Sequence, residues 1–172
     1  WELVDGWPVL KFDRRPEGMA GASNSHDQIV VNLIALLRAH LRGGPCRAKT
    51  ADQASRMARG NIRYPDVTID CGRQRPGEYE TSEPTVFFEV LSPSTRGFDL
   101  LRKADEYRAV PTLRHLVMLE PDRAEAMIWT RDAEGRWPQP LEVKGLDGAV
   151  ALPAVGVTLP MAEVYEDVTL GE

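Results

Sequence analysis

The sequence predicts a mixed α+β fold of the α/β type, built on a central sheet covered on both sides, and three observations carry that prediction. The run Thr85 to Leu91 is apolar on both of its alternating faces apart from one acid, which places it inside a sheet rather than at an edge. Residues Ser25 to Leu41 repeat apolar side chains at helical spacing. From Leu113 onward, short apolar runs alternate with turn residues in the manner of an antiparallel meander. At 172 residues and 42% hydrophobic content, the chain suits one domain over 1–172 with a sizeable core.

Taken in order, Trp1 to Leu3 and Val9 to Phe12 read as the strands of an N-terminal hairpin. Asp5-Gly6 supplies its turn and Pro8 confines its second arm to an edge. Because Trp1 opens directly into a strand pattern, we expect a longer natural sequence upstream. Arg14 to Ser23 is a loop rich in Gly, Pro and small residues. Ser25, with Gln28 three residues on, has capping-box spacing, and the helix it opens stops at Gly43-Gly44-Pro45. His26 falls on the inward face of the first turn. A histidine there is more often a hydrogen-bonded structural residue than a ligand, and His40 and His115 are weaker functional candidates still. Arg47 to Ala51 forms a short strand. Asp52 to Arg63 is a polar connector whose Arg56, Arg59 and Arg63 either line a phosphate path or, more commonly for such runs, simply face water. Val67 to Cys71 and Thr85 to Leu91 are strands joined by a Gly- and Pro-containing connection. Asp99 caps a helix from Leu100 to Arg108. The strands Leu113 to Leu119, Ala126 to Trp129 and Leu141 to Val143 form the meander, and a last extended pair ends in a turn of helix at Met161 to Tyr165.

Composition narrows the function. A net charge of -5 and a pI near 5.3 leave no overall electrostatic footprint for nucleic acid, although a local basic rim is compatible with both. Cys46 and Cys71 form no CxxC and have no partners for a zinc site. They are expected to be reduced thiols in a cytoplasmic protein. No apolar run is long enough to cross a membrane.

Two acids and a lysine stand where apolar residues would cost less. Asp66 enters one strand after Pro65, Glu89 interrupts the central strand, and Lys103 breaks the inward stripe of Leu100, Ala104 and Tyr107. A carboxylate removed from water costs several kcal/mol unless cations or donors compensate it. The three are therefore expected to meet. Against this, Lys103 could bury only its stem and keep its ammonium in water. Two carboxylates and a strand carbonyl suit Mg²⁺ or Mn²⁺, with the lysine orienting a metal-bound water or offsetting charge on phosphorus. Ser92 and Ser94 lie nearby, but without a GxSxG elbow a nucleophilic triad is less supported.

Pro65-Asp66-Val67, then Glu89-Val90-Leu91-Ser92-Pro93-Ser94-Thr95, then Asp99, Lys103, Tyr107, Val110-Pro111 and Glu120-Pro121 resemble the Uma-two family of restriction-endonuclease-like proteins in the PD-(D/E)xK nuclease superfamily. The resemblance runs from the Glu2-Leu3-Val4-Asp5-Gly6 opening to the end of the meander. It implies a restriction endonuclease-like fold, a mixed central sheet flanked by helices, and a metal-dependent DNA endonuclease. Asp66, Glu89 and the main chain at Leu91 are then the metal ligands, Lys103 the catalytic lysine and His26 a further catalytic candidate. It also exposes a departure: the superfamily lysine usually stands two residues after the second acid, where this chain has Leu91, so Lys103 on the following helix takes that role. DNA is the expected substrate with RNA second, and restriction-like nucleases often dimerise. The competing reading is a catalytically silent binding or assembly module that keeps the trio as a buried ion cluster.

Overall fold

The computed structural model describes residues 1–9, 23–58, 60–91 and 98–171. Its centre is a six-stranded mixed sheet. In chain order its strands are β3 (Arg47–Thr50), β6 (Val67–Asp70), β7 (Pro84–Val90), β8 (His115–Leu119), β9 (Glu125–Thr130) and β10 (Leu141–Lys144), arranged β10-β9-β8-β7-β6-β3. Only β7 and β8 run parallel, with Glu89 opposite Met118. Their connection is the helix α2 (Phe98–Arg108), because parallel neighbours need a crossover that packs on the sheet face. Every residue of β8 is buried and β7 is nearly so, as the two-faced apolar pattern requires.

Helix α1 (Asn24–His40) covers the other face through Ile29, Leu33 and Leu37, which join Val67, Ile69, Val86, Phe88 and Val117 in one core. A second core, on the α2 side, gathers Phe87, Leu91, Ala104, Tyr107, Leu113, Leu116 and Met118. The helix starts earlier than the capping-box spacing predicts. Ser23 is its N-cap, accepting from His26 N, and Gln28 donates instead to Asn32. Helix α2 likewise begins at Phe98, which puts Asp99 inside its first turn rather than at the cap. The Ser92 to Thr95 turn, Arg59 and most of the Arg14 to Ser23 loop lie outside the described residues.

The N-terminal hairpin pairs β1 (Glu2–Val4) with β2 (Trp7–Val9), Val4 opposite Trp7. Asp5 and Gly6 both have positive φ, 51° and 82°, the two-residue turn that Asp-Gly favours. This hairpin is not isolated. The connector read as a polar loop contains β4 (Ser55–Arg56) and β5 (Ile62–Arg63), and the four strands form a second sheet, β2-β1-β5-β4. At the C-terminus, β11 (Ala149–Leu152) and β12 (Val157–Pro160) make a separate antiparallel pair, and α3 (Met161–Val164) packs against α1.

The cysteine expectation is corrected. Cys46 and Cys71 form a disulfide, one residue beyond the Arg47–Asp70 pair of the β3–β6 ladder. Residues 25 apart in sequence are cross-strand neighbours in space, which spacing alone does not reveal. The thiol argument for a reducing compartment falls with it. Among the described residues no helix is long and apolar enough to cross a membrane.

Candidate active site

The register of the central sheet assembles the site. Val67 pairs with Phe88 in the β6–β7 ladder, so Asp66, just before β6, lies beside Glu89 near the end of β7. Both acids are buried, at 6% exposure each. Asp66 Oδ2 accepts from the backbone N–H of Val90 at 2.9 Å and lies 3.2 Å from His26 Nε2. Glu89 Oε1 accepts from the Tyr107 hydroxyl. Its Oε2 is 3.6 Å from Lys103 Nζ. The expected meeting of Asp66, Glu89 and Lys103 is therefore present, and Lys103 does not snorkel: it is 8% exposed.

Burial alone would lower the Lys103 pKa, but the carboxylates of Glu89, Glu2 and Asp66 outweigh it and leave the ammonium more basic than usual. Burial, reinforced by Glu89 and Glu2, pushes the Tyr107 hydroxyl well above its ordinary value. It therefore stays protonated and donates. The Tyr107 ring packs on Phe87 with centroids 4.9 Å apart.

Sequence reasoning missed half of the ion cluster. Glu2, on β1, is 5% exposed and Arg63, on β5, is 4% exposed. Arg63 Nη1 donates to Glu2 Oε2 at 2.7 Å, and its Nε and Nη2 grip both oxygens of Glu106 at 2.8 and 3.0 Å. Glu2 Oε1 faces Lys103 Nζ at 3.9 Å. For Glu106, the Arg63 contact overcomes burial and lowers the pKa. Arg63 is thus no solvated loop cation; of its two companions, Arg56 pairs with Glu80 at the surface. The available signal was Glu2 in a strand-like opening, an acid where the pattern asks for an apolar residue. Nothing in the order of residues tied it to Arg63.

The remaining candidates have plainer places. Leu91 is buried in the α2-side core, and its N–H extends the β7–β8 ladder to Leu119 O at 2.8 Å. His40 bonds back to Leu36 O. His115 has no exposure; it lies 3.0 Å from Thr130 Oγ1 through Nδ1 and accepts from Ala154 N–H at Nε2, and burial lowers its pKa to about 4. Asp70 is another buried acid, but backbone N–H groups of Gly72, Ser82 and Glu83 donate to it, which makes it the organiser of the 70s hairpin. A cleft of about 340 Å³ lies at the far end of α1, beside Arg38, Leu41 and Arg47, away from the acids.

The family model described as "Putative restriction endonuclease", Uma2, matches residues 2–162. The chain belongs to the Uma2 family. It is 30% identical over 128 residues to the uncharacterized protein slr1290 of Synechocystis sp., covering 73% of this chain and 67% of that protein. A second Synechocystis protein, sll1609, is 27% identical over 106 residues, covering 59% and 60% of the two chains. A crystal structure titled as a "putative nuclease belonging to DUF820" from Anabaena variabilis superposes with a TM-score of 0.73 at 13% identity, over 95% of this chain and 88% of that one. The mixed sheet with its flanking helices is thus a nuclease-like fold.

Proposed function

We propose that this Uma2 protein is a single-domain, metal-dependent endonuclease that hydrolyses phosphodiester bonds in DNA. The observation that carries the reading is the convergence of Asp66 and Glu89, from paired strands, on a buried lysine ammonium 3.6 Å from Glu89. Three buried carboxylates (Glu2, Asp66, Glu89) lie among the buried Arg63 and Lys103. The oxygen donor set of Asp66 and Glu89 fits a hard divalent cation. No group of three or more His, Cys, Asp or Glu able to hold a metal occurs among the described residues. Two carboxylates with water and substrate oxygens complete a Mg²⁺ shell.

Asp66 and Glu89 would hold the Mg²⁺ or Mn²⁺, with the carbonyl of Leu91 as the main-chain donor. When bound, the ion supplies Lewis-acid polarisation of the phosphate and a more acidic water. Lys103 orients the attacking water and offsets charge developing on the phosphate oxygens. Tyr107 fixes the rotamer of Glu89. His26, 3.2 Å from Asp66, steadies the first carboxylate. RNA is the second substrate class, and a homodimer would place two such sites on two strands.

A second reading rests on one observation: Glu89 already has Tyr107 and Lys103 as internal partners, as it would in a silent binding module. Calorimetry with Mn²⁺ separates the two. Binding that is present in the wild type and lost in both Asp66→Asn and Glu89→Gln supports the nuclease. A wild type that takes up no Mn²⁺ refutes the metal assignment.

A further inference from the structure

Lys103 Nζ is 3.6 Å from Glu89 Oε2 and 3.9 Å from Glu2 Oε1, both beyond the usual N–H···O range of about 2.7–3.2 Å. The ammonium is suspended between two carboxylates and hydrogen-bonded closely to neither of these oxygens. Glu2 cannot swing toward it, because Arg63 holds the other oxygen at 2.7 Å and Arg63 is itself forked onto Glu106 of α2. The helix that carries Lys103 therefore also anchors the arginine that fixes Glu2.

From this geometry we propose that Glu2 is a positioning residue of the site: clamped by Arg63, its carboxylate draws the Lys103 ammonium back from Glu89 and so limits the competition of Lys103 with a divalent cation there. Without the charge on Glu2, Lys103 closes on Glu89 and competes with the cation. The N-terminal hairpin, remote in sequence from the acids, is then part of the site. The inference rests on the proposed metal site for its consequence, but not for the placement of Lys103.

Glu2→Gln keeps the shape of the side chain and an oxygen for Arg63 while removing the charge. Two measurements on the full chain test the proposal. In crystal structures of wild type and Glu2→Gln without added metal, Lys103 Nζ moves to within hydrogen-bonding distance of Glu89 in the variant; an unmoved ammonium overturns the proposal. In Mn²⁺ calorimetry, Glu2→Gln weakens binding on the order of tenfold, as expected when the Lys103 ammonium closes on Glu89 and competes with the cation. Glu2→Asp retains most of the affinity, and Lys103→Met cancels the effect of Glu2→Gln in the double variant. Equal weakening with and without Lys103 would make Glu2 a direct ligand or a general stabiliser and sink the positioning role. If Glu2→Gln fails to fold, the Glu2→Asp structure and affinity decide: an unshifted Lys103 with wild-type binding upholds the role, and lost binding in a folded protein overturns it. A wild type that binds no Mn²⁺ would defeat the metal reading alone, and the Lys103 displacement would still decide the role of Glu2.

Discussion

Replacing Tyr107 by Phe isolates a single bond at the centre of the site. The Tyr107 side chain has no solvent exposure and its hydroxyl donates to Glu89 Oε1, while the ring packs on Phe87. Phenylalanine keeps the ring contact and deletes the donor. A hydrogen bond to a charged group contributes about 1.5–3 kcal/mol, and Glu89 is left buried with one partner fewer, so a loss of about 2 kcal/mol is expected. For a chain of this size each kcal/mol moves Tm by about 2–4 °C, which predicts a drop of roughly 4–8 °C in a thermal melt followed by circular dichroism at neutral pH. The same substitution made in a Glu89→Gln background should cost about half as much, because a neutral amide is a weaker acceptor. A shift below about 1 °C in the wild-type background, or an equal cost in both backgrounds, would refute the assignment of Tyr107 as the Glu89 donor.

Two further outcomes follow from the fold. The Cys46–Cys71 bridge closes a loop with a sequence separation of 25 residues, for which chain entropy gives roughly 3.5 kcal/mol; denaturant titration of a Cys46→Ser, Cys71→Ser double variant should show a loss of about 2–3.5 kcal/mol, and an unchanged midpoint would exclude the bridge from the folded state. His115 binds its proton at about pH 4 in the folded chain, against an ordinary value of 6.5. The unfolded chain therefore holds more protons than the folded one between those values, and stability falls as pH drops from about 6.5 to 4, by up to about 3 kcal/mol. Below that window the His115 contribution is flat. His115→Gln should remove this part of the acid dependence, measured by melts across the same range; an unaltered slope would contradict the buried neutral imidazole.

Much of the fold was legible because burial dictates pattern. The two-faced apolar run at 85–91 became the interior strand β7, and the helical stripe through Ile29, Leu33 and Leu37 became the packed face of α1. Asp5-Gly6 turned where its backbone preferences put it. What could not be read was pairing between segments whose own patterns are weak. β4 and β5 have two residues each, too short to show alternation, and they exist because β1 offers an edge to join. The disulfide escaped for the same reason. Cysteines at 46 and 71 become neighbours only once β3 and β6 are paired in register, and neither strand announces its partner.

The site divides along the same line. Asp66, Glu89 and Lys103 were visible because each breaks an apolar pattern, and a broken pattern in a buried element requires a partner. Arg63 sits in a two-residue strand with no pattern to break, and Glu2 offered only an acid in a short strand-like opening, so their pairing was silent in the sequence. Yet they decide the electrostatics. With Asp66, Glu89 and Lys103 alone, two carboxylates would face one cation, and Lys103 would be expected to bond tightly to one of them. With Glu2 locked by Arg63, the ammonium is held between acids at 3.6 and 3.9 Å. A buried ion pair by itself is weak evidence for stability; what the register of the sheet provides is two carboxylates side by side, Asp66 and Glu89, an oxygen donor set suited to a hard divalent cation. That donor set is the physical reason to look for a cation here rather than at the cleft beside Arg38 and Arg47, whose guanidinium groups repel one.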